Sequence, residues 1–190
     1  VSGKLLWTYD PEAPAAAGRK LRQGWGIRGL AYEAGRIFVG THDGRLLALD
    51  AKTGAEKWRT WLVGEPKLVR KNAAGADNFG PSGVPVWNAP SIDAKRNQLY
   101  VATGDNYSTP ATELSDSIVA IDLMTGKIKW HHQALANDAW NAACDDHNKA
   151  NCPEEDGPDF DFGAGAVLAK GKDGKEYVLA GQKSGWAWAF

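Results

Sequence analysis

Apolar and polar positions along this chain come in short blocks that repeat. Leu46-Leu-Ala-Leu-Asp-Ala-Lys-Thr-Gly-Ala-Glu-Lys-Trp58 and Ile118-Val-Ala-Ile-Asp-Leu-Met-Thr-Gly-Lys-Ile-Lys-Trp130 share one pattern, apolar-x-Ala-apolar-Asp-x-x-Thr-Gly-x-x-x-Trp. Ser2-Gly-Lys-Leu-Leu-Trp7 matches the tail of that unit, and Gly185-Trp-Ala-Trp-Ala-Phe190 matches its start. Each full unit predicts two strands joined by a turn. Asp-x-x-Thr-Gly is turn chemistry, because Asp and Thr bond nearby backbone and Gly tolerates φ > 0. Upstream of the two full units, 29–40 and 89–104 each supply strand, turn and strand, and 170–181 begins a third such set. Four short antiparallel strands per repeated unit predict an all-β chain of β-propeller blades.

The spacing of the units is uneven. Trp7 and Trp58 lie 51 positions apart, about one blade, whereas Trp58 and Trp130 lie 72 apart. The excess falls in 59–85, which reads either as a long functional loop or as the scar of a lost blade. Trp58 and Trp61 both look like repeat ends, so the loss of a blade near 59–66 is the reading adopted. At about 50 residues per blade, residues 1–190 make one partial propeller domain of about four blades. The chain opens on Val1-Ser2-Gly3-Lys4 without a visible signal peptide, and is read as a mature chain or a fragment.

Composition narrows the classes of function. Lys and Arg number 22 against 23 Asp and Glu, which leaves no electrostatic footprint for nucleic acid. No apolar run reaches the length of a membrane span. Cys144 and Cys152 fit no C-x-x-C or C-x-x-C-H spacing, so zinc, a redox motif and attached haem are unsupported. Nine Trp against five Phe and five Tyr mark a chain with many seats for a wide, rigid ring.

The Asp-x-x-Thr-Gly-x-x-x-Trp repeat resembles that of the quinoprotein alcohol dehydrogenases, eight-bladed propellers whose Trp residues dock neighbouring blades. Three stretches resemble the polyvinyl-alcohol dehydrogenase branch in particular: Pro66-Lys-Leu-Val-Arg-Lys-Asn-Ala-Ala-Gly75, Gly80-Pro-Ser-Gly-Val-Pro-Val-Trp87 and Asn151-Cys-Pro-Glu-Glu-Asp-Gly-Pro-Asp-Phe-Asp-Phe-Gly163. The resemblance implies part of an eight-bladed ring and a pyrroloquinoline quinone cofactor with Ca2+ or another hard cation. It further implies oxidation of a secondary alcohol, polyvinyl alcohol or a similarly bulky one, with electrons passed on to cytochrome c. It places the protein in the periplasm or outside the cell. The alternative is a propeller used as a non-catalytic scaffold or binding module, since fold alone does not give function.

The same resemblance nominates residues. Arg28 matches the family's cofactor-binding Arg, and its guanidinium suits a carboxylate or quinone oxygen. Trp87 matches the indole beneath the cofactor ring, and Lys183 the cation on the quinone oxygens. Asp105, 18 residues after Trp87, stands where the family has an Asn ligand to the cation. Asn141 occupies the place of the family's catalytic Asp, yet an amide is no base. Either Asp138, three residues earlier, substitutes as the base, or Asn141 serves only as a ligand to cation or substrate. Asp159 and Asp161 are further carboxylates, paired on one face if their segment is a strand and otherwise a solvated edge. The family's Glu ligand and its adjacent cysteine pair have no counterpart here. Cys144 and Cys152 are expected to bond each other, which suits an oxidising compartment; the alternative is two free thiols.

Overall fold

The computed structural model of the protein describes residues 2–13, 15, 26–147 and 149–190. Strands dominate it. The first sheet runs in order β1 (Leu30–Glu33), β2 (Arg36–Gly40), β3 (Arg45–Asp50) and β4 (Glu56–Trp61), antiparallel throughout. Residues 62–90 then carry a hairpin of β5 (Lys67–Lys71) and β6 (Asp77–Gly80), followed by the two-residue β7 (Ser82–Gly83). The second sheet has β8 (Ser91–Asp93), β9 (Gln98–Ala102), β11 (Ser117–Asp122) and β12 (Ile128–Gln133), with β10 (Asn106–Ser108) pairing β7 outside it. A third sheet of β13 (Val167–Lys170), β14 (Glu176–Gly181) and β15 (Ala187–Ala189) lacks a fourth strand among the described residues. The described residues thus make two whole blades and most of a third, with the Trp7 segment serving as the tail of a preceding unit.

The repeated pattern has a direct structural cause. β3 and β11 are each buried on both faces, so their apolar runs are continuous. In β3, Leu46 and Ala48 face the second blade while Leu47 and Leu49 face the Trp7 side. In β11, Val119 and Ile121 face the first blade while Ile118 and Ala120 face the third. The Ala of each repeat lies opposite its Trp, Ala48 to Trp58 and Ala120 to Trp130. A small side chain there leaves room for the indole.

The turns behave as their chemistry requires. Asp50 Oδ1 accepts from the Lys52 and Thr53 amides at 2.9 and 3.0 Å and from Thr53 Oγ1 at 3.1 Å. Asp122 Oδ1 repeats the arrangement with Met124, Thr125 and Thr125 Oγ1. The hydrogen bond from Lys57, then those from the backbone, hold the Asp50 carboxyl down at about 2. Gly54 and Gly126 close the turns at φ 74° and 75°.

These turns are also docking sockets. Trp7 Nε1 donates to the Ala51 carbonyl at 3.1 Å, and Trp58 Nε1 donates to the Leu123 carbonyl at 3.2 Å. A Cβ on Gly54 would lie 2.8 Å from Trp7 Cε3, and one on Gly126 would lie 2.7 Å from Trp58 Cε3. Each Gly is therefore required twice, by its φ and by the indole resting on it. Arg36 and Thr60 add bonds from the first blade to the same 123–126 turn.

Replacing Trp58 by Phe removes one interblade hydrogen bond and part of the ring contact. Urea unfolding should show a loss of about 2 kcal/mol. Gly126→Ala should cost at least as much, because the new methyl meets the indole and the φ is unfavourable.

Candidate functional site

The loops flanking the inner strands converge on Trp87, which lies just before β8. Arg28 precedes β1, and its Cζ stands 4.8 Å from the Trp87 ring centroid. Lys183, in the β14–β15 turn, brings Nζ to 5.5 Å from the same ring. His42, in the β2–β3 turn, meets the indole edge-on at 6.0 Å. Burial pushes the His42 imidazole down, against a smaller upward pull from its backbone partner. The Trp87 Nε1 hydrogen is buried without a partner among the described residues. Two cations thus stand against one flat ring.

Carboxylates gather beside it. Lys183 Nζ donates to Asp159 Oδ1 at 2.7 Å and to Asp161 Oδ2 at 2.6 Å. Asp161 Oδ1 accepts from the Asp105 amide at 2.7 Å, and Asp105 Oδ2 accepts from the Trp140 amide at 2.8 Å. One oxygen each of Asp105, Asp159 and Asp161 lie within 4.8 Å of one another. Gly104 permits this approach, since a Cβ there would stand 2.6 Å from Asp161 Oδ1. Asp105 and Asp161 are both pushed up. Burial is the main cause in each, with Asp161 repelling Asp105 and with Lys183 pulling Asp161 back down. Burial alone would lower the Lys183 ammonium, but its ion pairs with Asp159 and Asp161 hold it above its ordinary value.

The two nominated residues of the 138–141 turn have other duties. Asp138 is fully buried and accepts from the Asp159 and Phe160 amides at 3.2 and 2.9 Å. It braces the segment that presents Asp159, whose own φ is 57°. Asn141 donates to the Tyr107 and Asn151 carbonyls at 2.9 and 3.0 Å and accepts from the Ala143 amide at 2.8 Å. Its amide ties down the Cys144–Cys152 loop, and those two cysteines form a disulfide. Neither side chain meets Lys183 or Trp87. Residues 159–161 are not a strand, so the pairing of Asp159 and Asp161 comes from Lys183 rather than from β alternation.

The sequence missed His42 as a neighbour of Trp87 and missed Asp116 altogether. Asp116 is fully buried at φ 48°, and neither carboxyl oxygen reaches a hydrogen-bond partner among the described residues. Burial, then repulsion from Asp138 and Asp161, pushes it to about 9, and the nearby Ser115 hydroxyl offers only a small counter-pull. Nothing in the local pattern Ser115-Asp116-Ser117 distinguishes it from an ordinary turn.

Comparison with known proteins agrees with the fold. The β-propeller domain of glucose/ethanol/alcohol dehydrogenases, a PQQ family, matches residues 50–182. A polyvinylalcohol dehydrogenase of Pseudomonas sp. is 41% identical over 147 residues, covering 77% of this chain and 23% of that protein. The polyvinylalcohol dehydrogenase of Sphingopyxis sp. is 42% identical over 149 residues, again 77% of this chain and 23% of the relative. A quinohemoprotein alcohol dehydrogenase of Comamonas testosteroni is 27% identical over 213 residues, covering 74% of this chain and 30% of its own. The chain therefore spans about a quarter of the length of these two polyvinylalcohol dehydrogenases.

Asp116→Asn tests the buried carboxyl. Below the ordinary value of 3.8, folded and unfolded chains both hold the proton and the site costs nothing. As pH rises toward about 9 the unfolded chain has released that proton while the folded one keeps it, so stability falls. The variant should gain on the order of a few kcal/mol at mildly alkaline pH and almost nothing near pH 4, read as the difference in urea midpoints.

Proposed function

The chain belongs to the PQQ family of glucose/ethanol/alcohol dehydrogenase β-propellers, and from that premise we propose that it forms part of a quinone-dependent alcohol dehydrogenase. The observation that carries the reading is the Trp87 ring flanked by Arg28 and Lys183. A flat tricarboxylate fits this seat: the indole would give stacking area and the two cations would meet its carboxylate and quinone oxygens. Three carboxylates beside an anionic cofactor repel it unless a cation lies between them. Asp105, with Asp159 and Asp161, supplies hard oxygen donors for Ca2+ or a similar ion, and this set is richer than the Asp105 and Asn141 pair expected from sequence.

The quinone, when bound, supplies the hydride acceptor. The remaining work belongs to the protein. Lys183 offers positive charge where the cofactor's oxygens gain electron density. Asp159 has one oxygen on Lys183, and its side chain stays 27% accessible, whereas those of Asp161 and Asp105 are closed. It is the carboxylate an entering alcohol reaches, and it takes the hydroxyl proton in place of the base absent at Asn141. Asp138 positions it through the 159 and 160 amides. The substrate is a secondary alcohol, polyvinyl alcohol or a similarly bulky one, as the names of the relatives at 41% and 42% identity suggest. Cytochrome c takes the electrons in a periplasmic or secreted setting, with which the disulfide agrees.

The short 62–90 connection fits a blade lost near 59–66. The Comamonas relative aligns over 213 positions with only 74% of this chain, which leaves it a surplus of about 70 positions, more than one blade's length. The polyvinylalcohol dehydrogenase of Pseudomonas sp. aligns over 147 residues with 77% of the chain and leaves no such surplus. The Trp58 contact with the 123–126 turn joins the flanking blades directly.

Quinone and Ca2+ added to the encoded protein should give a bound-quinone absorbance band and alcohol-dependent dye reduction, while these 190 residues alone should turn over weakly or not at all. Trp87→Ala and Lys183→Ala should each weaken quinone binding by about ten-fold or more. Asp159→Asn should lower kcat by roughly 10²-fold or more. No quinone binding by the encoded protein would reject the enzyme reading in favour of a scaffold.

A further inference from the structure

A second feature lies on the other side of the β2–β3 turn. His42 of that turn touches Trp87, and Arg45, three residues on, stacks against Trp61 with Cζ 5.3 Å from the ring centroid. Arg45 is 1% exposed and held on three sides: Nη2 to Asp43 Oδ2 at 2.5 Å, Nε to Asp43 Oδ1 at 3.0 Å, and Nη2 to the Pro11 carbonyl at 2.9 Å. It is also the cross-strand partner of Trp61. The Trp61 ring is thereby fixed on a rigid cation while remaining 44% exposed. It borders an open cleft of about 400 Å³ with Val63, Glu65, Thr112, Glu113 and Leu114.

We infer that this cleft is an accessory binding site for a neutral, hydroxylated aliphatic chain, such as an extended polyol. Its floor is mostly hydrocarbon and indole, which suits methylene groups. The charged groups on its rim are acceptors only. The Glu65 and Glu113 carboxylates make no ion pair or hydrogen bond among the described residues, so they are free to take O–H donors. Arg45 already draws on the ring quadrupole, which weakens attraction for a second cation and leaves C–H contact as the better use of the open side. A chain held here lies across one turn from the Trp87 seat, so successive hydroxyls are kept close to the site of oxidation. The cleft depends on the proposed function only for the identity of that chain, and its test needs no quinone.

Binding of a poly(vinyl alcohol) oligomer to the quinone-free encoded protein, measured by calorimetry and affinity electrophoresis, tests this. The oligomer should bind more tightly than 2,4-pentanediol, and binding should change little at high salt. Trp61→Ala should weaken it by about ten-fold, and the Glu65→Gln/Glu113→Gln double variant by about three-fold. The double variant alters only exposed carboxylates and carries the test if Trp61→Ala does not fold. Unchanged binding in the double variant and in any folded Trp61 variant would overturn the proposal. So would salt-sensitive binding of spermidine with none of the polyol. A protein that holds the oligomer through Trp61 but oxidises no alcohol would refute the function and spare the cleft; turnover with unaltered binding in the variants would do the reverse.

Discussion

Everything else in the structure depends on the seat of one indole on one glycine turn. Trp58 lies on Gly126 and bonds the Leu123 carbonyl, and Trp7 lies on Gly54 and bonds the Ala51 carbonyl. A single blade buries only part of its apolar surface, so its stability comes from the neighbour. The Trp contact sets the angle and spacing between blades. It thereby lets Val119 and Ile121 meet Leu46 and Ala48 across the first interface. The inner-strand loops converge because the sheets are held in this register. Without the Trp58 docking, Arg28 and Trp87 would belong to unrelated loops.

The site built on that frame is electrostatically unbalanced. Lys183 alone donates to Asp159 and Asp161, while Asp105 closes on Asp161 through its amide. Burial raises Asp105, Asp116 and Asp161 together. Such a cluster costs stability, and the geometry that imposes the cost is specific: Gly104 leaves room for Asp161, and Asp138 holds Asp159 in a left-handed conformation. The carboxylates stand beside a ring flanked by Arg28 and Lys183, and Lys183 is the cation that meets them.

The two exposed or half-exposed indoles share a second constraint. Trp87 and Trp61 both lean on the β2–β3 turn, one through His42 and the other through Arg45. The four-residue turn 41–44 carries Asp43, whose buried ion pair with Arg45 braces it.

Strand pairing, turn chemistry and the docking role of Trp58 were legible in the sequence. Each is local or repeats: Asp50 with Thr53 and Gly54 lie within one turn, and the same spacing returns at Asp122, Thr125 and Gly126. The resemblance of short stretches also pointed to Arg28, Trp87 and Lys183, which the fold brings together. What no local pattern carried were the long-range partnerships. Asp105 meets Asp161 across 56 positions, and Asp138 spends both oxygens on the 159 and 160 amides. Asn141 spends its amide on the disulfide loop, and the Asp116 carboxyl is sealed away from any hydrogen-bond partner among the described residues. Periodicity reports which face of a strand is buried, because burial repeats with the backbone. The company of a loop carboxylate is decided only when separate blades close against one another, since desolvation and ion pairing depend on distance in space rather than along the chain.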